Sequence, residues 1–160
     1  MTIKQILVGL DGSEEATTAL QTAADLAELT GAQITAVSVL ESESYMGWTM
    51  GPTYLPDYQQ LGQVLRQNLE TWCEPLRKRG ITYKVVVRQG PAAGELLREA
   101  DAGATDLIVV GTRGRGGFRE LLLGSVAHNV TQHAHHPVLV VPRPAARVQA
   151  EDRELVAATA

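Results

Sequence analysis

The sequence predicts an α/β fold: one domain carrying a doubly wound, five-stranded parallel sheet of order 3-2-1-4-5. Three observations carry this reading. The chain has 160 residues, the length of a single domain. Short apolar or β-branched runs alternate with helix-period segments as βα-βα-βα-βα-β, which gives a parallel sheet covered by helices on both faces. Glycine or proline punctuates most changes of element. Right-handed crossovers leave few topologies, and 3-2-1-4-5 is the favoured one among them, although periodicity alone does not select it.

Each element has its own signal. Ile3 to Leu10 is a strand, with Ile6-Leu7-Val8 apolar without a break, as a strand buried on both faces requires. Asp11-Gly12-Ser13 ends it. Ser13 is a good helix N-cap, and Glu14 and Glu15 suit the positive end of the helix dipole. Ala16, Leu20, Ala23, Ala24 and Ala27 form one helical stripe, closed by Gly31. Ile34 to Leu40 is the second strand. Leu61, Leu65, Leu69, Trp72 and Leu76 mark a second helix that runs to about Gly80. Ile81 to Arg88 is the third strand. A third helix centres on Glu95 to Ala100 and closes at Gly103. Asp106 to Val110 is the fourth strand, a helix follows from about Ser125 to Ala134, and Val138 to Val141 is the fifth strand, stopped by Pro142. The domain is expected over residues 1–142, with 143–160 as a polar, alanine-rich tail.

Composition excludes several classes. The net charge of −4 argues against a protein that coats nucleic acid, and aromatic residues at 4% give few base-stacking platforms. There is no apolar run long enough to span a membrane, and the start passes straight into a strand pattern, so neither a membrane span nor a secretory signal is expected. The single cysteine, Cys73, cannot form an internal disulfide, which fits a cytoplasmic setting or indifference to redox.

In open α/β sheets, ligands bind beyond the carboxyl ends of the strands where the winding reverses. For this order the reversal lies between strands one and four. It sets the loop Gly9 to Ser13 opposite the loop Gly111 to Ser125. Five of the 15 glycines fall between Gly111 and Gly124. Glycine lets backbone N–H groups approach an anion closely, and Gly124-Ser125 then opens a helix whose N-terminus favours phosphate. Arg113, Arg115 and Arg119 against Glu120 give the segment a local charge of +2. The alternative is a tight connection with solvated arginines. The segment is not a Walker A loop, because it lacks the lysine, nor a G-x-G-x-x-G/A loop, because Gly114 and Gly116 lead to Arg119.

These residues resemble the universal stress protein family. Gly111, two residues, Gly114, nine residues, then Gly124-Ser125 matches that family's nucleotide-loop pattern in full. The Asp11-Gly12-Ser13 turn, Val109-Val110-Gly111-Thr112, Leu122-Leu123-Gly124-Ser125-Val126 and His136-Pro137-Val138-Leu139-Val140-Val141-Pro142 extend the likeness along the chain. The resemblance implies ATP as ligand. It puts adenine against the backbone of Val39, Asp11 and Gly111 near the ribose or base edge, and Gly114, Gly124, Ser125 and Val126 around the phosphates. Gly9 and Val110 at the strand ends, and Arg113 and Arg115 in the loop, complete the candidate set. For Asp11 the competing reading is a turn-former that bonds its own backbone. Mg²⁺ is expected to ride on the phosphates.

Four histidines, His128, His133, His135 and His136, do not make a metal motif, since only His133 and His136 have helical spacing and no paired cysteine accompanies them. No nucleophile, base and orienting group form a visible set, so a binder is expected, with slow ATP hydrolysis as one alternative. A second alternative is a nucleotide-independent stress protein working by protein contact through Ser42 to Pro56, a segment that holds Tyr45, Met46, Trp48, Met50 and Tyr54. Val138 to Val141 would be a bare edge strand, and pairing with a second copy is one way to cover it. The resemblance points to the same homodimer.

Overall fold

The computed structural model describes residues 2–41, 57–114 and 123–143. Five parallel strands form one sheet of order β3-β2-β1-β4-β5, as the sequence predicts. They are β1 (Gln5–Gly9), β2 (Gln33–Leu40), β3 (Tyr83–Gln89), β4 (Leu107–Gly111) and β5 (Val138–Val141). β1 is central. Ile6 lies opposite both Ile34 of β2 and Leu107 of β4. Among the described residues five helices connect or follow the strands: α1 (Glu14–Thr30), α2 (Tyr58–Trp72), α3 (Glu74–Lys78), α4 (Ala92–Ala102) and α5 (Ser125–His133).

Strand alternation divides the core into two layers. Ile6, Val8, Ile34, Ala36, Leu107 and Val109 face α1 and the α2–α3 pair. Leu7, Val37, Ile108 and Val110 face α4 and α5. The central strands are therefore buried on both sides, which is why their sequences are apolar throughout rather than alternating. On α1 the buried stripe is mostly alanine. Small side chains let that helix lie close to the sheet.

Local chemistry sets the helix ends. Ser13 caps α1 by accepting the Ala16 amide at 3.1 Å, and Gly31 ends the helix in the left-handed region at φ 71°. The second predicted helix is in fact two. It breaks at Cys73, between α2 and α3. Pro75 supplies the reason: it has no N–H to donate, and its ring would meet the carbonyl four residues back. The Cys73 thiol is fully buried beside Leu69 and Leu76, and burial pushes it up to about 12, with the nearby Glu70 adding to the shift.

The two sheet edges differ. β3 carries Lys84 and Arg88, both paired with the buried Glu99 of α4. β5 carries Val-Leu-Val-Val. The Ile108 amide donates to the Pro137 carbonyl and the Thr112 amide to the Val141 carbonyl, each at 2.9 Å. Peptide groups alternate sides along a strand, so those of Leu139 face β4 while those of Val138 and Val140 face the open edge. Among the described residues no helix is long and apolar enough to cross a membrane.

Candidate functional site

The winding reverses between β1 and β4, the place where an open α/β sheet has its crevice, and the exits of those two strands face each other there as the two sides of a candidate cleft. On one side is the turn Asp11-Gly12-Ser13. Asp11 Oδ1 accepts both the Ser13 amide, at 2.9 Å, and the Ser13 hydroxyl, at 2.6 Å. Gly12 takes φ 81°, a conformation that side-chain-bearing residues rarely adopt. The turn-forming role of Asp11 is therefore real, but it engages only one carboxylate oxygen. The other, Oδ2, lies against Gly114 on the opposite side, where a Cβ would overlap it.

That opposite side is held by backbone proximity. A Cβ on Gly111 would come within 2.9 Å of the backbone carbonyl carbon of Glu15 and 3.0 Å of its oxygen. The exit of β4 thus packs directly on the first turn of α1. A Cβ on Gly124 would lie 3.2 Å from the Cα of Arg113. The Gly124 amide donates to the Thr112 carbonyl at 2.7 Å, which brings the start of α5 back onto the end of β4. At Gly111 the α1 backbone, and at Gly114 the Asp11 carboxylate, occupies the space of a side chain, and at Gly124 a side chain would fit only tightly against Arg113 and Thr112.

The start of α5 differs from the other helix starts. α1 and α2 are capped by Ser13 and Asp57, and α3 and α4 carry Glu74 and Glu95 in their first turns. Among the described helices, α5 alone has neither a side-chain cap nor an acidic residue in its first turn. Its first amides lack intrahelical partners, no acidic side chain of its own first turn meets its dipole, and Ser125 at its start is exposed.

The remaining candidates separate. Gly9 makes room for Leu96 of α4, 3.1 Å from where a Cβ would sit. Val39, Val110 and Val126 turn their side chains into the α4–α5 layer, leaving only their peptide groups for a ligand. Val39 lies beyond the end of β1 pairing. Leu10 N–H reaches the Val37 carbonyl at 2.8 Å, and the same alternation aims the peptide groups of Val39 toward the cleft. Arg113 is half-buried beside Gly124. Arg115 and the segment Ser42 to Pro56 lie outside the described residues. Glu15 enters the sequence reading only as a first-turn acid of α1, and Thr112 only as part of a motif; neither is among the candidate site residues. Their contributions are made by backbone atoms, and residue type carries no signal of that.

The histidines sit elsewhere. His133 Nδ1 lies 2.9 Å from the Asn129 carbonyl, and His136 Nε2 lies 3.1 Å from Asp101 Oδ1, toward the amino ends of the strands. Among the described residues no group of three or more His, Cys, Asp or Glu is placed to hold a metal.

The fold and the cleft define a doubly wound α/β protein with its candidate site at the switch point of the sheet. The model of the universal stress protein family matches residues 2–142, and the chain belongs to that family. Universal stress protein YxiE of Bacillus subtilis is 32% identical, over 86% of this chain and 97% of its own. The solved structure of hypothetical protein MJ0577 is 25% identical with a TM-score of 0.77, covering 91% of this chain and all of that one. A universal stress protein from Archaeoglobus fulgidus, solved in complex with dAMP, shares the fold at 23% identity and a TM-score of 0.64, over 88% of this chain and 99% of its own.

Proposed function

We propose that this universal stress protein binds ATP at the β1–β4 cleft and serves as a nucleotide-linked regulator of a stress or dormancy response. One observation carries the reading: the uncapped, acid-free start of α5 stands behind three glycines whose missing side chains let the β4 exit, α1 and α5 close together. Such an N-terminus favours an anion, and exposed backbone amides suit phosphate. Arg113 stands beside it, and we assign Gly114, Ser125 and Val126 to the same phosphate end, together with Arg115 on the ground of its sequence position alone. Asp11 accepts hydrogen bonds only, so it suits a ribose hydroxyl, together with Gly111. The cleft-facing peptide groups of Val39 suit the edge of adenine, the base of the dAMP held by the Archaeoglobus fulgidus relative. Mg²⁺ would be held through the phosphates and keep several waters. A cytoplasmic location fits this ligand.

The test is direct. Freshly purified protein is heated and extracted, and released ATP is measured. ATP is then titrated into wild type, Gly114→Ala and Gly124→Ala. Binding that weakens at least tenfold in both variants supports the reading. Wild type that shows no binding up to millimolar ATP overturns it, and equal binding by the variants overturns the site. Linear ADP production that is lost in the loop variants would establish a slow ATPase instead.

The unequal edges favour a second proposal, a homodimer through β5. β3 is guarded by two cations, whereas β5 offers apolar side chains and outward peptide groups.

A further inference from the structure

The exit of β2 is tied by one hydrogen bond to the exit of β3 and by another to the start of α4. The Gly90 amide donates to the Leu40 carbonyl at 3.1 Å, and the Ala92 amide donates to Glu41 Oε1 at 3.2 Å. The second bond answers a need of the helix. The residue before α4 is Pro91, which has no side-chain acceptor, so the first turn is capped from another strand. A carboxylate there also meets the positive end of the α4 dipole. Glu41 is two residues past Val39, where β2 is paired to β3: Val39 and Leu40 lie opposite Arg88 and Gln89, whereas pairing to β1 has ended at Val37.

We propose that Glu41 is a positioning residue for the base end of the cleft. Its carboxylate, anchored on the start of α4, sets the direction in which β2 ends and so fixes the cleft-facing peptide groups of Val39. This rests on the reading that adenine lies against Val39. Glu41 itself touches no ligand in this arrangement. Its effect is confined to recognition of the base and leaves the phosphate end, built from Gly111, Gly114 and Gly124, unaffected.

The experiment compares ATP, adenosine and inorganic tripolyphosphate binding to wild type, Glu41→Ala and Glu41→Gln by calorimetry. Amide hydrogen exchange over residues 39–41 and at Ala92 is followed in parallel. Glu41→Ala is expected to weaken ATP and adenosine by roughly fivefold, the scale of one ordinary hydrogen bond, with tripolyphosphate unchanged. Glu41→Gln, which keeps an acceptor at the same reach, is expected to restore most of the loss. Unchanged adenosine binding in Glu41→Ala overturns the proposal, as does an equal loss of tripolyphosphate or a failure of glutamine to rescue. If wild type binds none of the three probes, the nucleotide reading fails. Exchange then decides the tether alone: faster exchange at 39–41 in Glu41→Ala supports it, and unchanged exchange removes it.

Discussion

Asp11 and Gly114 meet across the cleft: Oδ2 of Asp11 fills the space that a side chain on Gly114 would need, while Oδ1 is bound by Ser13. Because its other oxygen is held twice, the carboxylate has little freedom to step aside. Gly114→Ala is therefore expected to lower the melting temperature, and to do so less in an Asp11→Ala background. A thermal double-mutant cycle reads this coupling without any ligand, and strictly additive losses would contradict the contact.

Gly111 faces the backbone and the Cβ of Glu15, both fixed by α1, and such atoms at 2.9 Å do not yield cheaply. Gly111→Ala is expected to cost about 1–3 kcal/mol, the range for overpacking a closely fitted site. Gly62, inside α2 with nothing within 4 Å of its would-be Cβ, serves as the contrast. Gly62→Ala should gain about 0.5–1 kcal/mol through helix propensity. Urea denaturation of the two variants measures both signs.

The peptide N–H of Val140 points to the open edge of β5, so proline there removes an outward donor and spares the ladder to β4. Val140→Pro is expected to sediment as a monomer with a native circular dichroism spectrum, whereas wild type sediments as a dimer at tens of micromolar. A wild-type monomer at that concentration would refute pairing through β5.

Asp106 accepts the amides of Lys4 at 2.8 Å and Gln5 at 3.0 Å, and these bonds hold its carboxyl below the ordinary value of 3.8. Its contribution to stability is therefore complete above that ordinary value. It fades as pH falls through the lower folded-state value. Asp106→Asn should show a shallower loss of stability than wild type as the pH is lowered below 4. Chemical denaturation at stepped pH compares the slopes.

The buried Cys73 thiol should resist iodoacetamide at pH 8 in the folded protein, because burial keeps it protonated. Labelling should proceed at the rate of opening. Rapid labelling under native conditions would show that the α2–α3 junction is more open than the structure indicates.

All five strands are legible because periodicity reports burial, and the central strands are buried on both faces; the sheet order rests instead on the handedness of the crossovers, which leaves few topologies, and the structure has the favoured one. The break at Cys73 does not show in the apolar stripe, which runs from Leu61 to Leu76 unbroken across it; Pro75 carries the signal instead. The glycine spacing located the loop, but it did not reveal what each glycine is fitted against. Glu15 and Thr112 act through their backbones, and Asp11 divides its two oxygens between its own turn and the facing loop. Those facts depend on how two distant segments approach each other, which no local pattern encodes.

The approach of those segments also has a consequence in time. Asp106 binds the amide of Lys4 from 102 positions away in sequence, where β4 joins β1. The cleft has one lip from the start of the chain and the other from beyond β4, so it exists only after that long loop has closed, a step whose entropic cost grows with loop length. No growing or truncated chain that lacks the second lip can possess the site. A molecule that grips both lips binds only the joined state, and by mass action it holds the two halves of the sheet together.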